Sequence, residues 1–377
     1  MLPRRLLGHR VVGRRRHLQV GVIGHGNMGR GVAASLARAG HDVVVFDADG
    51  AQTLRRPSTI TAVDSVAAAC RRADAVLLSL PHEAAERAVV ADLLEARPPL
   101  VLNLGTSSVG WAREAHETCG GAGVAYLDAP VSGGPEGAAA GSLAVFLGGD
   151  EAAVRRAAPV LDAIAALFAR LGPAGAGAGA KLVNQALVAA NAQGAAEGLA
   201  LAEALGCDLE QLLPLLDGAW AASTMLARSG ARRLGADPAR LAFESSAAPL
   251  RNFAKDLALV RDAAAGRGLD LPAVRVAAET VAAAAARGAA DCDWAAVPSF
   301  LARPTTANEL ARAAPPFSAA VPTAEALRAA LAAQASPSLP VVDDDPTGTQ
   351  TVHGVAVRAD WADLSGELRS DKSCFYL

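Results

Sequence analysis

An α/β domain built on a parallel sheet, followed by an all-α domain, is the architecture this sequence predicts. Three observations carry it. From Leu18 to about Gly149, short apolar runs alternate with amphipathic stretches, the pattern of βαβ units. From Lys181 to about Leu301 alanine and leucine recur at helical spacing, without strand-like alternation. Beyond Ala302 the chain is punctuated by Pro304, Pro315, Pro316, Pro322, Pro337 and Pro340, which reads as a linker.

Taken in order, the expected strands are "LQVGVIG", "DVVVFD", "AVLLSLP", "LVLNLGT", "VAYLDAP" and "LAVFLGG". Each is rich in the branched residues that suit a sheet buried on both faces. The expected organisation is a basic extension over 1–17, an α/β domain over 18–180, a helical domain over 181–302, a linker over 303–338 and a last fragment over 339–377. The extension has six arginines and no acid within the first 19 residues; it resembles a targeting peptide in charge but lacks serine and apolar periodicity.

Composition narrows the function. The 377 residues are 52% hydrophobic and 19% charged, with a net charge of −3, as in a globular protein with large cores. That charge and an aromatic content of 4% argue against a nucleic-acid partner. The apolar runs are broken by charges and glycines before the roughly 20 residues a membrane helix needs. Cys70, Cys119, Cys207, Cys292 and Cys374 lie far apart with no CxxC pair, so the expectation is a reducing cytoplasm and no catalytic metal.

"VGVIGHGNMGRG" places Gly24, Gly26 and Gly29 after a strand and at the start of a helix. There the glycines allow a tight turn and close approach of backbone to a pyrophosphate, held at the positive end of the helix dipole. Asp47 follows at the end of the second strand, near the spacing at which an acid meets the ribose diol. A carboxylate there repels a 2′-phosphate, and residues 48 to 54 contain no arginine, so NAD is expected over NADP. His25, inside the same loop, reads as solvent-facing. Thr106, after a later strand, fits either a contact to the nicotinamide half or a helix cap. Ser132, Gly133 and Gly134 fit either a tight turn or a carboxylate cradle of hydroxyl and backbone N–H groups. Ser223 and Thr224 fit either a pocket lining or a helix start.

Lysine is the rarest cation here: Lys181, Lys255 and Lys372 stand against 32 arginines among 35 basic residues. Arginine stays protonated, whereas a desolvated lysine can give up its proton. A lysine behind the glycine run "GAGAGAKLVNQ" is therefore a candidate proton carrier.

"GVIGHGNMG", "DAPVSGG", "GAGAGAKLVNQ" and "NFAKDLALV" occur in the order and spacing of the β-hydroxyacid dehydrogenase family, which this chain resembles from about Leu18 to Leu301. The resemblance implies a Rossmann-type first domain and NAD-dependent oxidation of a hydroxy acid, with Lys181 as catalytic acid/base. It implies that Ser132, Gly133 and Gly134 hold the substrate carboxylate. It also implies cofactor contacts from Gly24, Gly26, Asn27, Met28, Gly29, Asp47, Leu80, Pro81, Thr106 and Lys255. Asn184 is followed by Gln185, and the "KxxNQ" pattern resembles the tartronate semialdehyde and L-threonate branches, making both amides expected substrate ligands. Homodimers or homotetramers joined through the helical domain are implied as well. The tail "VVDDDPTGTQTVHGVAV" resembles the truncated start of a four-carbon acid sugar kinase, too short to hold a nucleotide half. Together the two resemblances imply oxidation of L-threonate or D-erythronate at C2, with tartronate semialdehyde or 3-hydroxyisobutyrate as alternatives.

Overall fold

The computed structural model describes residues 17–54, 56–234, 246 and 248–301. Residues 1–16, the linker and the kinase-like tail lie outside the described residues.

Apolar, branched segments form the sheet. Its strands are β1 (Gln19–Ile23), β2 (Asp42–Phe46), β3 (Ile60–Ala62), β4 (Ala75–Leu78), β5 (Leu100–Asn103), β6 (Ala125–Asp128), β7 (Val131–Ser132), β8 (Leu143–Gly148) and β9 (Ala165–Gly172). They lie in the order β3-β2-β1-β4-β5-β6-β8-β7, with β9 also paired to β8. The first six pair in parallel, whereas β8 runs antiparallel to β6 and β7 and parallel to β9. This is a doubly wound Rossmann-type sheet whose strand order reverses between β1 and β4.

The crossover helices are α1 (Asn27–Arg38), α2 (Gly50–Leu54), α3 (Val66–Cys70), α4 (Glu83–Ala96), α5 (Val109–Gly121), α6 (Gly134–Ala140) and α7 (Glu151–Ile164). One face of the sheet packs Val20, Val22, Leu36, Leu102 and Leu127 in a core with α1 and α7; the other packs Ile23, Val76, Leu93, Trp111 and Tyr126 with α3, α4 and α5. Local signals start these helices: the side chains of Ser65, His82 and Ser108 each accept a backbone N–H in the first turn of α3, α4 and α5.

The remaining chain is helical. It comprises α8 (Ala176–Ala204), α9 (Leu209–Asp217), α10 (Thr224–Leu234), α11 (Leu250–Ala265), α12 (Pro272–Ala284) and α13 (Val297–Leu301). Residues 180 and 181, where the sequence suggests a boundary, fall inside α8. Its core packs Leu182, Ala189, Leu257, Val260 and Trp294, and the Trp294 indole donates to the Ala192 carbonyl at 2.8 Å while meeting Phe253 edge-on. No helix among the described residues is long and apolar enough to cross a membrane.

Candidate functional site

The carboxyl ends of β1, β2, β4 and β5 meet at the topological switch point, where open α/β sheets bind ligands. Gly24 sits there with φ of 92°, and a Cβ on it would strike the Ser79 carbonyl oxygen. A Cβ on Gly29 would strike the Gly24 carbonyl oxygen, whereas the Cβ position of Gly26 meets open space. Gly26 caps α1 without any side-chain hydrogen bond, so the helix opens on backbone N–H groups at its positive end. Asp47 closes the rim: its two oxygens accept the N–H groups of His25 at 2.6 Å and Asp49 at 2.9 Å. A turn that excludes side chains, an open cradle and a fixed acid fit a dinucleotide. Asn27 and Met28 occupy the first turn of α1.

The structure corrects the expectation for His25. Its ring is buried, with Nδ1 3.0 Å from the Gln52 carbonyl and Nε2 without a hydrogen-bond partner, and burial lowers its pKa. A histidine beside two glycines reads as exposed, but α2 folds over it.

Leu80 and Pro81 follow β4, and Thr106 follows β5. Thr106 does not cap α5, since Ser108 does. Instead its carbonyl accepts Lys255 Nζ of α11 at 3.3 Å, linking the sheet half to the helical half.

The start of α8 is pinned to the sheet. Asp128, at the end of β6, is buried and accepts the N–H groups of Gly175 at 3.0 Å and Ala178 at 2.8 Å. Burial pushes its carboxyl up, and the helix N–H groups draw it back. Gly177 is required by the same junction, because a Cβ would strike the carbonyl oxygens of Phe146 and Asp128. This clamp fixes Lys181 one turn further along. Lys181 is only 6% exposed, and burial brings its pKa down to about 8; Asp256 opposes the fall and Lys255 adds to it.

One turn beyond, Gln185 Nε2 donates to Asp256 Oδ2 at 2.5 Å, and Asn184 Nδ2 donates to Gln185 Oε1 at 2.9 Å. Lys255 Nζ lies 3.1 Å from Asp256 Oδ1. Two lysines, a carboxylate and two amides thus converge between α8 and α11. An amine that ionises near pH 8, one helical turn from two hydrogen-bonded amides, can exchange a proton with a bound alcohol.

The other expected residues divide. Ser132, Gly133 and Gly134 form the turn from β7 into α6, with φ of 132° and 66° at the glycines. Ser223 accepts the Leu226 N–H and starts α10. His82 caps α4, and His116 Nδ1 meets the Tyr126 carbonyl. Among the described residues no group of His, Cys, Asp and Glu could hold a metal ion. The basic run of α10 is already paired, Arg228 and Arg232 with Asp293 and Arg233 with Glu203.

Residues 19–172 match the family described as the NAD binding domain of 6-phosphogluconate dehydrogenase. Residues 175–301 match the NAD-binding family of NADP-dependent 3-hydroxyisobutyrate dehydrogenase. A probable 3-hydroxyisobutyrate dehydrogenase of Mycobacterium tuberculosis is 38% identical over 286 residues, which span 74% of this chain and 96% of that protein. The chain belongs to the β-hydroxyacid dehydrogenase family. This family member is also similar to an NAD-dependent L-serine dehydrogenase of Pseudomonas aeruginosa, 36% identical over 54% of this chain and 72% of that one. Among solved structures, the Mycobacterium tuberculosis 3-hydroxyisobutyrate dehydrogenase with L-serine matches at a TM-score of 0.67 and 34% identity, covering 76% of this chain and all of that one. A 3-hydroxyisobutyrate dehydrogenase from Salmonella typhimurium matches at 0.67 and 30%, covering 75% and 99%. The β-hydroxyacid dehydrogenase described here is therefore an NAD(P)-dependent oxidoreductase acting on a CH–OH group, with an NAD-binding Rossmann-type domain.

Sequence reasoning missed Asp256 and Asp128. Asp256 directly follows Lys255 in "NFAKDLALV", and an acid–base pair interrupting an apolar helix was the available signal. For Asp128 the signal was an acid closing the buried strand "AYLD".

Proposed function

We propose that this dehydrogenase oxidises the C2 hydroxyl of a four-carbon sugar acid, L-threonate or D-erythronate, to the 2-oxo acid, with Lys181 as general acid/base. The observation that carries the chemistry is a buried lysine ionising near pH 8 beside the Gln185–Asp256 pair. NAD, when bound, accepts the hydride. The neutral Lys181 amine takes the hydroxyl proton in oxidation and, as an ammonium, returns it in reduction. Arginine at this position could not alternate in this way. Asp256 holds Gln185, so that Asn184 and Gln185 present oriented amides to substrate hydroxyls. Ser132, Gly133 and Gly134 hold the carboxylate through a hydroxyl and backbone N–H groups.

Gly24, Gly26, Asn27, Met28 and Gly29 hold the pyrophosphate. Asp47 accepts from the ribose diol and excludes a 2′-phosphate, favouring NAD although one matched family is described by an NADP-dependent enzyme. Leu80, Pro81, Thr106 and Lys255 line the nicotinamide half.

The two polar amides support a polyhydroxylated acid over one bearing a methyl group, and the "DDDPTGT" resemblance of the tail supports four carbons. The names of the relatives favour 3-hydroxyisobutyrate as the second reading, and tartronate semialdehyde is the reductive counterpart. A panel of three- and four-carbon hydroxy acids, followed by NADH absorbance, tests the choice. We expect the highest kcat/KM with L-threonate or D-erythronate; a higher value with 3-hydroxyisobutyrate or L-serine overturns the substrate. NAD binding with no turnover of any acid would make the chain a non-catalytic dinucleotide-binding module.

The chain works as a homodimer or homotetramer. Support comes from α8 and its C-cap, where Val183, Leu187, Leu201 and Leu205 are 63%, 61%, 59% and 70% exposed. Val183 and Leu201 are eighteen residues, five whole turns, apart and so share one stripe. A reducing cytoplasm suits the thiols of Cys70, Cys119 and Cys207.

A further inference from the structure

A second carboxylate lies under the cofactor loop and takes no part in the chemistry above. Glu86, in the first half of α4, is completely buried. Its Oε2 accepts the Asn103 amide at 2.8 Å and the Trp111 indole N–H at 2.7 Å. The Ser107 hydroxyl faces the same carboxyl, and the buried Tyr126 phenol of β6 is near enough to feel its charge. Asn103 Oδ1 in turn accepts the Gly105 N–H at 2.9 Å. The loop packs directly on Glu86, since a Cβ on Gly105 would strike Oε1. Glu83, one turn earlier, ties the far end of the loop by accepting the Ser108 hydroxyl at 2.8 Å.

Asn103 and Trp111 both donate to Oε2, the bonding a carboxylate accepts, whereas the buried Oε1 has no hydrogen-bond partner. Burial leaves the pKa of this carboxyl raised, and Asn103, Trp111 and the positive charge of Lys255 limit the rise and favour the ionised form. Lys255 reaches over from α11 to the Thr106 carbonyl, next to Gly105. A negative charge is therefore enclosed beneath the loop that follows β5, a strand whose carboxyl end lies at the switch point. In so enclosed a place a charge acts over several ångströms with little screening.

We propose that Glu86 is a positioning residue for the cofactor half-site: its buried charge holds the Asn103–Ser107 loop and Lys255 together and biases the site toward the oxidised, positively charged nicotinamide over the neutral reduced one. This rests on the cofactor contacts of Thr106 and Lys255 proposed above. A structural support would strengthen both redox forms alike. A charge discriminates between them.

The test is the ratio of the dissociation constants of NAD and NADH, measured by calorimetry on the full chain without substrate. Glu86→Gln keeps the shape and an acceptor for Trp111; Glu86→Met removes the charge with no polar group left to satisfy. Both variants raise the NAD/NADH ratio by about fivefold, so a fold lost in one leaves the other to report. Trp111→Phe removes a donor but leaves the charge, and keeps the parental ratio. A parental ratio in both Glu86 variants, or an equal shift in Trp111→Phe, overturns the proposal. Lys255→Met separates the two layers: it weakens binding of both cofactors. If it changes neither constant, the cofactor contacts fail and the Glu86 proposal falls with them; if it weakens both while the Glu86 ratios stay parental, only the Glu86 proposal falls.

Discussion

Lys181 shows how burial sets a chemical property that residue type alone does not. A solvated lysine is almost wholly protonated at neutral pH and a poor base. Desolvation brings this one to about 8, and the nearby Asp256 charge limits the fall. Oxidation needs the neutral amine, so kcat/KM for the hydroxy acid rises with pH up to about 8 and levels off above it. Asp256→Asn removes the charge that favours the ammonium but keeps an acceptor for Gln185, so the acidic limb moves to lower pH. A stopped-flow pH profile checks this, and an unmoved limb contradicts it. Lys181 was legible in the sequence because lysine is so rare in this chain. Asp256 was not, because an acid beside a lysine in a helix ordinarily forms a surface pair, and its burial exists only once α11 packs on α8.

At the scale of elements, the junction between β6, β8 and α8 carries the argument. Gly177 lies where three backbones meet, and its missing side chain lets α8 start close enough for Asp128 to bond Gly175 and Ala178. Gly177→Ala forces these backbones apart and costs about 1–3 kcal/mol; thermal unfolding followed by circular dichroism measures it, and an unchanged midpoint refutes the tight junction. β1, β2, β4, β5, β6 and β8 were legible as branched apolar runs. Three strands were not. β3 and β7 have three and two residues, too few to show a period. β9, "AALFARLG", alternates weakly and follows α7 without a break, so its composition suits a helix until pairing with β8 decides otherwise.

At the scale of the molecule, a Rossmann-type sheet supplies a nucleotide crevice and the helical half supplies a buried lysine, and Lys255 against Thr106 joins them. The division was legible because hydrophobic spacing changes from strand-like to helical along the chain. The contacts across it were not, since Lys255 and Thr106 are 149 residues apart. The exposed apolar stripe lies on the same helix as Lys181, so the proposed assembly would use α8 as well. Leu187→Glu puts a charge into that stripe and shifts the protein toward monomers in light scattering; a parental mass contradicts the assembly. The proposed oxidation turns on one proton. Its most direct test is turnover of the best hydroxy acid by Lys181→Arg, with NAD affinity measured alongside. A loss of at least about a hundredfold in kcat with NAD affinity retained is the expected result. An arginine variant that turns over substrate at the parental rate would contradict it.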